Sequence, residues 1–478
     1  MSFKDINESN KRILYIATSH IIQAVFIIIK IKFLTNFFSI SAYAQYAIIL
    51  SSMSTSVALA RGGVDFLLTK KLVRGQTRPD YLPGYLSRLV IVVGYVMFIS
   101  LLFQAFLYFF FLTSIDKSVF LLLACFSYIL INSSNIALLA IYKGLNEINI
   151  YAKGYLIGSV TNSIVQCLLV WHYGDSGILL IIIGSALAQL FVQCILFKRV
   201  SKKYNLKLIK NKKKLKISYL KSGTLIALAK SYTAGVGMMS QFLLIYSLNS
   251  LSQGITSAAY YLYTGLIGQA SNLILIAVSG AFFPSLLRAM QKGTEDFRDQ
   301  IFYQSKLINA VIFPLFFFLL VSQDYLILLI SNKNYLLDSD FFTYMLCAAF
   351  LAASKQSFEL SLYCHQSNKY FLTISTISNI LIVAIPLCMF YFFGINGFGI
   401  GLLVHSILIY AIILNISSKI YKYPLLNLDT LFILMNISVF LLISLNLDLL
   451  HNSIILLVLI LSILNSVYEL FFSRKEAN

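Results

Sequence analysis

The chain has 478 residues, of which 59% are hydrophobic and only 12% are charged, and its mean hydropathy is +0.82. A soluble domain carries about a quarter charged residues, so this composition excludes a soluble globular protein and indicates a polytopic membrane protein. The net charge of +19 does not indicate nucleic-acid binding, because Lys and Arg also gather where helices meet an anionic cytoplasmic leaflet.

Apolar runs that are long enough to cross a bilayer recur along the whole sequence. A spanning helix needs about 20 mostly apolar residues, whereas barrel strands are shorter and alternate polar with apolar residues. We therefore predict an all-α integral membrane protein with about fourteen transmembrane helices. The spans are predicted near 13–34, 42–68, 85–112, 118–142, 150–172, 177–198, 220–247, 258–282, 304–331, 341–364, 371–393, 397–419, 427–447 and 452–472.

The basic residues avoid every second break between these spans. Of the 37 Lys and Arg residues, 31 lie in the N-terminus, the even-numbered breaks and the C-terminus. Cytoplasmic loops keep Lys and Arg and translocated loops lose them, so both termini are predicted to be cytoplasmic. The exceptions are four lysines in or beside the odd-numbered breaks and two inside spans: Lys30, Lys32, Lys117 and Lys333, then Lys230 and Lys355.

The two halves of the chain resemble each other. The segment Tyr173–Gly177 aligns with Phe393–Gly397 at an offset of 220, and other pairs match at an offset of 217. Six helices per half is an even number, which predicts parallel repeats that enter the membrane with the same orientation.

These features predict four segments. The stretch from Lys198 to Lys221 holds eleven Lys or Arg residues and no acid. It is interpreted either as a linker that contacts anionic lipid or as a docking site for a cytoplasmic partner or an anionic substrate. The predicted segments are an N-terminal six-helix bundle (1–198), a basic cytoplasmic linker (199–219), a C-terminal six-helix bundle (220–420), and a helix hairpin with a cytoplasmic tail (421–478).

Three short motifs carry a family resemblance. Phe33–Ser39 followed by Ala42–Ala47, the segment Tyr142–Asn146 and the Tyr-Gly-x-x-Gly turn before span six resemble segments of the Wzx-type polysaccharide flippases. These belong to the multidrug/oligosaccharidyl-lipid/polysaccharide (MOP) exporter superfamily. Ala44 stands where the family pattern has Gly. The resemblance covers spans one to twelve and implies two six-helix bundles around a central cavity.

The resemblance also implies a function. It is the flipping of undecaprenyl-diphosphate-linked oligosaccharide repeat units across the bacterial inner membrane by alternating access, for O-antigen or capsule biosynthesis. The expected partners are the lipid-linked oligosaccharide, membrane lipids and other glycan-assembly membrane proteins. No Gly-rich phosphate loop or zinc spacing appears, so we expect no enzyme activity, cofactor or metal. The alternatives are a lipid II or multidrug exporter of the same superfamily, or an integral membrane glycan polymerase.

A diphosphate that crosses a low-dielectric region needs fixed cations. Lys230 lies about 15 Å into span seven, at 1.5 Å per residue, and is a candidate substrate ligand or a structural lysine. Lys30 at the outer end of span one either binds substrate or extends to the membrane edge. Arg88 at the start of span three either meets the diphosphate or anchors the helix.

Two pairs of opposite charge are spaced i, i+4 and so share a helix face. Lys355 and Glu359 in span ten form either a neutralising pair or a site for cation coupling. Arg61 and Asp65 at the mouth of span two form either a gate, with Arg61 available to substrate, or a helix-end pair. His20 and His405 are interpreted as buried polar side chains. Asn135, Asn162 and Asn379 are interpreted either as contacts between helices or as side chains that border the cavity.

Overall fold

The computed structural model is helical wherever it describes the chain. No strand occurs in the described ranges, which confirms the all-α class. The described residues are 19, 22–76, 82–114, 118–145, 147–204, 224–252, 254–265, 267, 286, 289–290, 293–331, 339–364, 368–421 and 428–445.

The chain divides into two compact units between Ala258 and Ala259. The first unit includes the helix of predicted span seven, whereas the sequence assigned that span to the second bundle. The predicted segment boundaries remain predictions, and most of the basic linker lies outside the described residues. The helices of the first unit are α1 (22–37), α2 (Ile40–Gln76), α3 (Leu82–Phe110), α4 (Val119–Gly144), α5 (Ile148–Tyr173), α6 (Ile178–Lys203) and α7 (Thr224–Ser252).

The second unit follows. Helix α8 (255–265) crosses the division, and the predicted last span, 452–472, lies outside the described residues. The remaining helices are α9 (Thr294–Val321), α10 (Gln323–Ile330), α11 (Ser339–Ser354), α12 (Gln356–Cys364), α13 (Asn368–Tyr421) and α14 (Leu428–Leu445).

Several helices match the predicted membrane spans. Four helical stretches among the described residues are long and apolar enough to cross a membrane, judged by length and composition. Two of them hold two predicted spans each, because the helices on either side of a short turn follow one another directly. The stretches are Val119–Gly144, Asn149–Lys203, Thr294–Val321 and Thr373–Tyr421.

Small polar residues let α2 pack closely against its neighbours in the first unit. This helix contacts α3, α4 and α7, and its buried Ser52, Thr55 and Ser56 face other helices without bulky side chains. The Ser56 hydroxyl donates to Gln104 Oε1 of α3 at 2.7 Å. Small hydroxyl residues and buried amides are typical contacts between membrane helices.

Amide side chains join α5 to α6. Gln193 Nε2 donates to the carbonyl oxygen of Gly154 at 2.8 Å, and Gln166 Nε2 donates to Ser185 Oγ at 3.0 Å. The buried Tyr142 hydroxyl donates to the Gln193 carbonyl oxygen at 2.8 Å. Tyr142, a residue of the family-like motif, therefore fixes the end of α4 against α6.

The two turns that align in the internal repeat share one backbone conformation. Gly174, between α5 and α6, has φ 50° and ψ −138°. Gly394, inside α13, has φ 63° and ψ −145°. Residues with a Cβ avoid this combination of angles. The same glycine-dependent turn thus joins consecutive helices in each unit, which agrees with the internal repeat.

In the second unit, predicted span ten is interrupted. Helix α11 ends at Ser354 and α12 begins at Gln356, which places Lys355 at the break. Aromatic rings pack α14 against this region, since Phe350 and Phe440 stack with their ring centroids 4.0 Å apart.

A charged cluster closes the end of α6. The Lys203 ammonium forms an ion pair with Glu147, and the Tyr204 hydroxyl donates to Glu147 Oε1 at 2.7 Å. Partial burial alone would raise the pKa of Glu147, but the two hydrogen bonds and the charge of Lys203 together lower it. Burial and the neighbouring Glu147 raise the pKa of Tyr204 to about 12.

We predict that Gly174→Ala and Gly394→Ala each destabilise the protein by about 1–3 kcal/mol, because alanine is strained at these angles. The midpoint of thermal unfolding of the purified protein should fall. Gly94→Ala is the matched control, since a Cβ there meets no atom within 4 Å. Equal midpoints for the three variants would contradict the proposed strain.

We predict that Glu147→Gln lowers the unfolding midpoint at neutral pH and that this loss shrinks in acid. A carboxyl group with a lowered folded-state pKa stabilises the fold above its unfolded pKa, about 4.3. That stabilisation is lost as the pH falls through the folded pKa. Glu295→Gln, at an exposed position in the first turn of α9, is the control. A midpoint difference that does not change with pH would contradict the assignment.

Candidate functional site

Four predicted site residues lie in helices of the first unit, but their side chains lie outside the described residues. Lys230 belongs to α7, Arg61 and Asp65 to α2, and Arg88 to α3. Their proposed roles remain predictions, and so does a role for His20, which also lies outside the described ranges.

Lys30 is a half-buried cation on α1. Its ammonium interacts electrostatically with the Cys167 thiol of α5. Within the described part of the chain, no carboxylate forms an ion pair with it. The backbone N–H of Ser39 donates to Asp175 Oδ1 at 2.8 Å, which ties the end of α1 to the turn after α5 and holds Lys30 against that helix.

An apolar groove of about 580 Å³ runs between α1 and α5. Its residues recur every three or four positions, so each helix contributes one stripe. The sequence did not single these residues out, because either stripe alone resembles a lipid-facing surface. The groove is lined by Phe26, Ile29, Phe33 and Phe37 of α1 and by Ser163, Ile164, Cys167, Leu168 and Trp171 of α5.

Lys30 directly follows Ile29, which lines the groove, and Cys167 of the groove interacts electrostatically with it. A lysine ammonium within a membrane span is costly without an anionic partner, and no described carboxylate pairs with Lys30, so an anion brought by a ligand or by lipid fits there. A groove lined by aromatic and aliphatic side chains suits an acyl or isoprenoid chain. Together they fit a ligand with an anionic group and an apolar tail.

The structure pairs Lys355 with Glu359 in the second unit. Lys355 Nζ lies 3.5 Å from Glu359 Oε2, and both side chains are largely shielded, with 18% and 27% exposed. The Glu359 N–H still donates to the Lys355 carbonyl oxygen at 3.0 Å. The spacing of i, i+4 therefore survives the break between α11 and α12.

Lys355 also lines a cavity of about 350 Å³ inside the second unit, together with the buried His405 of α13. His405 Nε2 lies 3.1 Å from the Ser378 carbonyl oxygen. The same Nε2 lies 3.3 Å from Ser378 Oγ, so both polar groups of Ser378 are within hydrogen-bond distance of the imidazole. The sequence treated His405 and Lys355 separately, and nothing in their spacing indicates that the fold of α13 brings them together.

The asparagines differ in their surroundings. Asn162 Nδ2 donates to Gln189 Oε1 at 3.5 Å, and Asn379 Nδ2 donates to Ser375 Oγ at 3.3 Å, so both contact neighbouring polar groups. Asn135 is fully buried in α4, and neither polar atom of its side chain has a hydrogen-bond partner among the described residues. A buried amide without hydrogen bonds is costly. Of the three asparagines, Asn135 is therefore the one whose burial the described contacts do not explain.

Solved transporter structures share this fold. The chain is similar to the lipid II flippase MurJ in an inward closed conformation, with a TM-score of 0.64 and 16% identity over 98% of this chain and 100% of that chain. It is also similar to an outward-facing multidrug resistance MATE family transporter of the MOP superfamily, with a TM-score of 0.60 and 12% identity over 90% of this chain and 96% of that one.

A MOP superfamily transporter from Pyrococcus furiosus is similar as well, with a TM-score of 0.59 and 13% identity over 87% of this chain and 97% of that chain. No protein-family model and no curated protein matches the sequence. Likenesses at these identities establish the fold. The apolar helices and this shared fold make the chain an integral membrane protein with the architecture of MOP superfamily transporters.

We predict that Lys355→Glu and Glu359→Lys each lower the unfolding midpoint, because each leaves two like charges one helical turn apart in a shielded site. The double exchange should recover most of the loss, since it restores an opposite pair. Thermal unfolding of the three purified variants tests this. A double variant that is less stable than both single variants would show that the pair does not hold this region together.

Proposed function

We propose that the chain is a flippase that moves undecaprenyl-diphosphate-linked oligosaccharide repeat units across the bacterial cytoplasmic membrane by alternating access. The observation that carries the proposal is Lys30 beside the apolar groove of α1 and α5. A lipid-linked glycan has both an anionic diphosphate and a long apolar chain, and this site offers a partner for each.

The physical difficulty of the reaction explains why a cation belongs there. A diphosphate is far more costly in hydrocarbon than in water, and a fixed ammonium or guanidinium group lowers that cost. We extend this role to Lys230, Arg61 and Arg88 as further substrate-phosphate ligands. Asp65 is proposed to act with Arg61 as a gate.

The nearest rival substrate is lipid II. The match to MurJ covers 98% of this chain, whereas the matches to the multidrug-resistance transporter and the Pyrococcus furiosus protein cover 90% and 87%. This fuller correspondence favours a lipid-linked glycan over a drug. A cation such as Lys30, which no described carboxylate pairs with, also suits an anionic substrate better than the cationic compounds that many drug exporters carry.

The proposal includes a location and a pathway. The alternation of Lys and Arg along the sequence supports an inner-membrane protein with both termini in the cytoplasm. O-antigen or capsule assembly is the pathway that a flipped repeat unit would serve, and membrane proteins of glycan assembly are the proposed partners.

The test is complementation of a strain that lacks its repeat-unit flippase, scored by the amount of lipid-linked repeat unit that accumulates and by glycan on the cell surface. Wild-type protein should clear the intermediate. Lys30→Gln should reduce clearance about tenfold or more, since a hydrogen bond to a charged group is worth about 1.5–3 kcal/mol. Lys230→Ala should abolish surface glycan at unchanged protein level.

Lys32→Gln is the matched control, because it removes the same charge two positions further along α1, about 200° around the helix. Lys30→Arg should retain activity. A parallel strain depleted of its lipid II flippase separates the two glycan substrates, since rescue of that strain alone would assign lipid II. Normal clearance by Lys30→Gln at wild-type protein level would remove Lys30 and the groove from the substrate path.

A further inference from the structure

The cavity inside the second unit has hydrogen-bond donors among mostly apolar residues. Fifteen of the described residues line it, of which nine are apolar and none is Asp or Glu. The other six include one ammonium group and four hydroxyls.

Tyr260 supplies the clearest donor. It is 96% buried, being only 4% exposed, and it lines the cavity. Its ring packs edge-on against Phe398, with centroids 5.3 Å apart, which fixes the direction of the side chain. Its hydroxyl makes no hydrogen bond to any residue that the structure describes. Buried phenols normally have a partner, so this hydroxyl is a candidate donor to a ligand in the cavity.

Lys355 supplies the charge. Its ammonium lies 3.5 Å from the Glu359 carboxylate, whereas charge-assisted hydrogen bonds are usually about 2.7–2.9 Å long. Glu359 does not line the cavity, but Lys355 does. The ammonium therefore lies between a carboxylate on one side and the cavity, with its few donors, on the other.

Ser406 adds a third donor to the cavity wall, and its hydroxyl makes no hydrogen bond within the described part of the chain. His405 has a different role, because its Nε2 is within hydrogen-bond distance of the Ser378 carbonyl oxygen and hydroxyl. It holds the two halves of α13 together beside the cavity.

We propose that this cavity binds a small oxyanion of phosphate size, held by Lys355, Tyr260 and Ser406. A volume of about 350 Å³ accommodates such an anion with several waters at about 30 Å³ each, but not an oligosaccharide. Glu359 competes with the anion for Lys355. Lys355 forms its ion pair with the anion when the anion is bound, and with Glu359 when the anion has left. The site does not depend on the proposed lipid substrate and has not been assigned to it.

The experiment measures binding of radiolabelled inorganic phosphate to the purified full-length protein in detergent. Wild-type protein should bind saturably. Lys355→Gln should weaken binding about tenfold or more, and Tyr260→Phe about two- to tenfold, as expected for charged and neutral hydrogen bonds. Glu359→Gln should bind about threefold or more tightly, because the competitor is gone. Lys153→Gln, which removes an exposed lysine of α5, should bind as wild type does.

Competition separates the sources of the oxyanion. Displacement of phosphate by polyprenyl phosphate, lost in Lys355→Gln, would assign the site to a lipid headgroup; insensitivity to it would assign a free anion. Lys355→Arg keeps the charge and shows whether a loss in Lys355→Gln reflects folding. Any one of three results would overturn the proposal. The wild-type protein binds no phosphate saturably, Lys355→Gln binds phosphate as tightly as wild type, or Glu359→Gln binds it more weakly than wild type.

The two proposals fail independently. Lys30→Gln should lose flipping and keep phosphate binding, since Lys30 lies in the other unit. A protein that flips its substrate but binds no phosphate would refute only the anion site. A protein that binds phosphate but flips nothing would refute only the proposed function.

Discussion

Every polar group that this chain carries into the membrane must find its partner inside the protein, because hydrocarbon offers none. This requirement explains three sets of polar contacts: those of the buried hydroxyls of α2, those of the amides between α5 and α6, and the contact between His405 and Ser378. The same requirement makes the exceptions informative. Lys30 and Tyr260 have no charged or hydrogen-bonding partner in the part of the chain that the structure describes, so we propose a ligand for each.

These exceptions lie in separate units and differ in kind. Lys30 accompanies a groove whose walls are almost wholly apolar, so it suits a ligand that is itself amphipathic. Tyr260 and Lys355 line a cavity with several donors, so we propose a compact anion there. A transporter that handled a charged lipid and a small ion would need both kinds of site, and the described residues offer a candidate for each.

Local chemistry was predictable from the sequence. Apolar runs predicted the helices to within a few residues over most of the described spans. A backbone in hydrocarbon must satisfy its own hydrogen bonds, and a single apolar segment can do so only as a helix. The turns at Gly174 and Gly394 were also visible, since only glycine adopts their backbone angles readily. The i, i+4 spacing placed Lys355 next to Glu359, as the structure has them.

The sites were not predictable in the same way. The groove needs α1 beside α5, and the cavity needs α8, α11 and α13 around Lys355; both depend on packing between helices that are far apart in sequence. Hydrophobic pattern also fails to distinguish a lipid-facing stripe from a ligand groove. For this reason the sequence indicates Phe33 only as part of a motif and Cys167 only as a small hydrophobic residue within a span, and it does not indicate Trp171.

The turn inside α13 has a consequence for rates. His405 and Ser378 lie on opposite arms of this helix, on either side of Gly394, and the two arms together supply six of the fifteen described residues that line the cavity. In the proposed anion site, the group that changes its partner is the Lys355 side chain. Side-chain rotation is much faster than the microsecond to millisecond motion of whole domains. The exchange of Lys355 between Glu359 and an anion would therefore not limit the rate of a transport cycle.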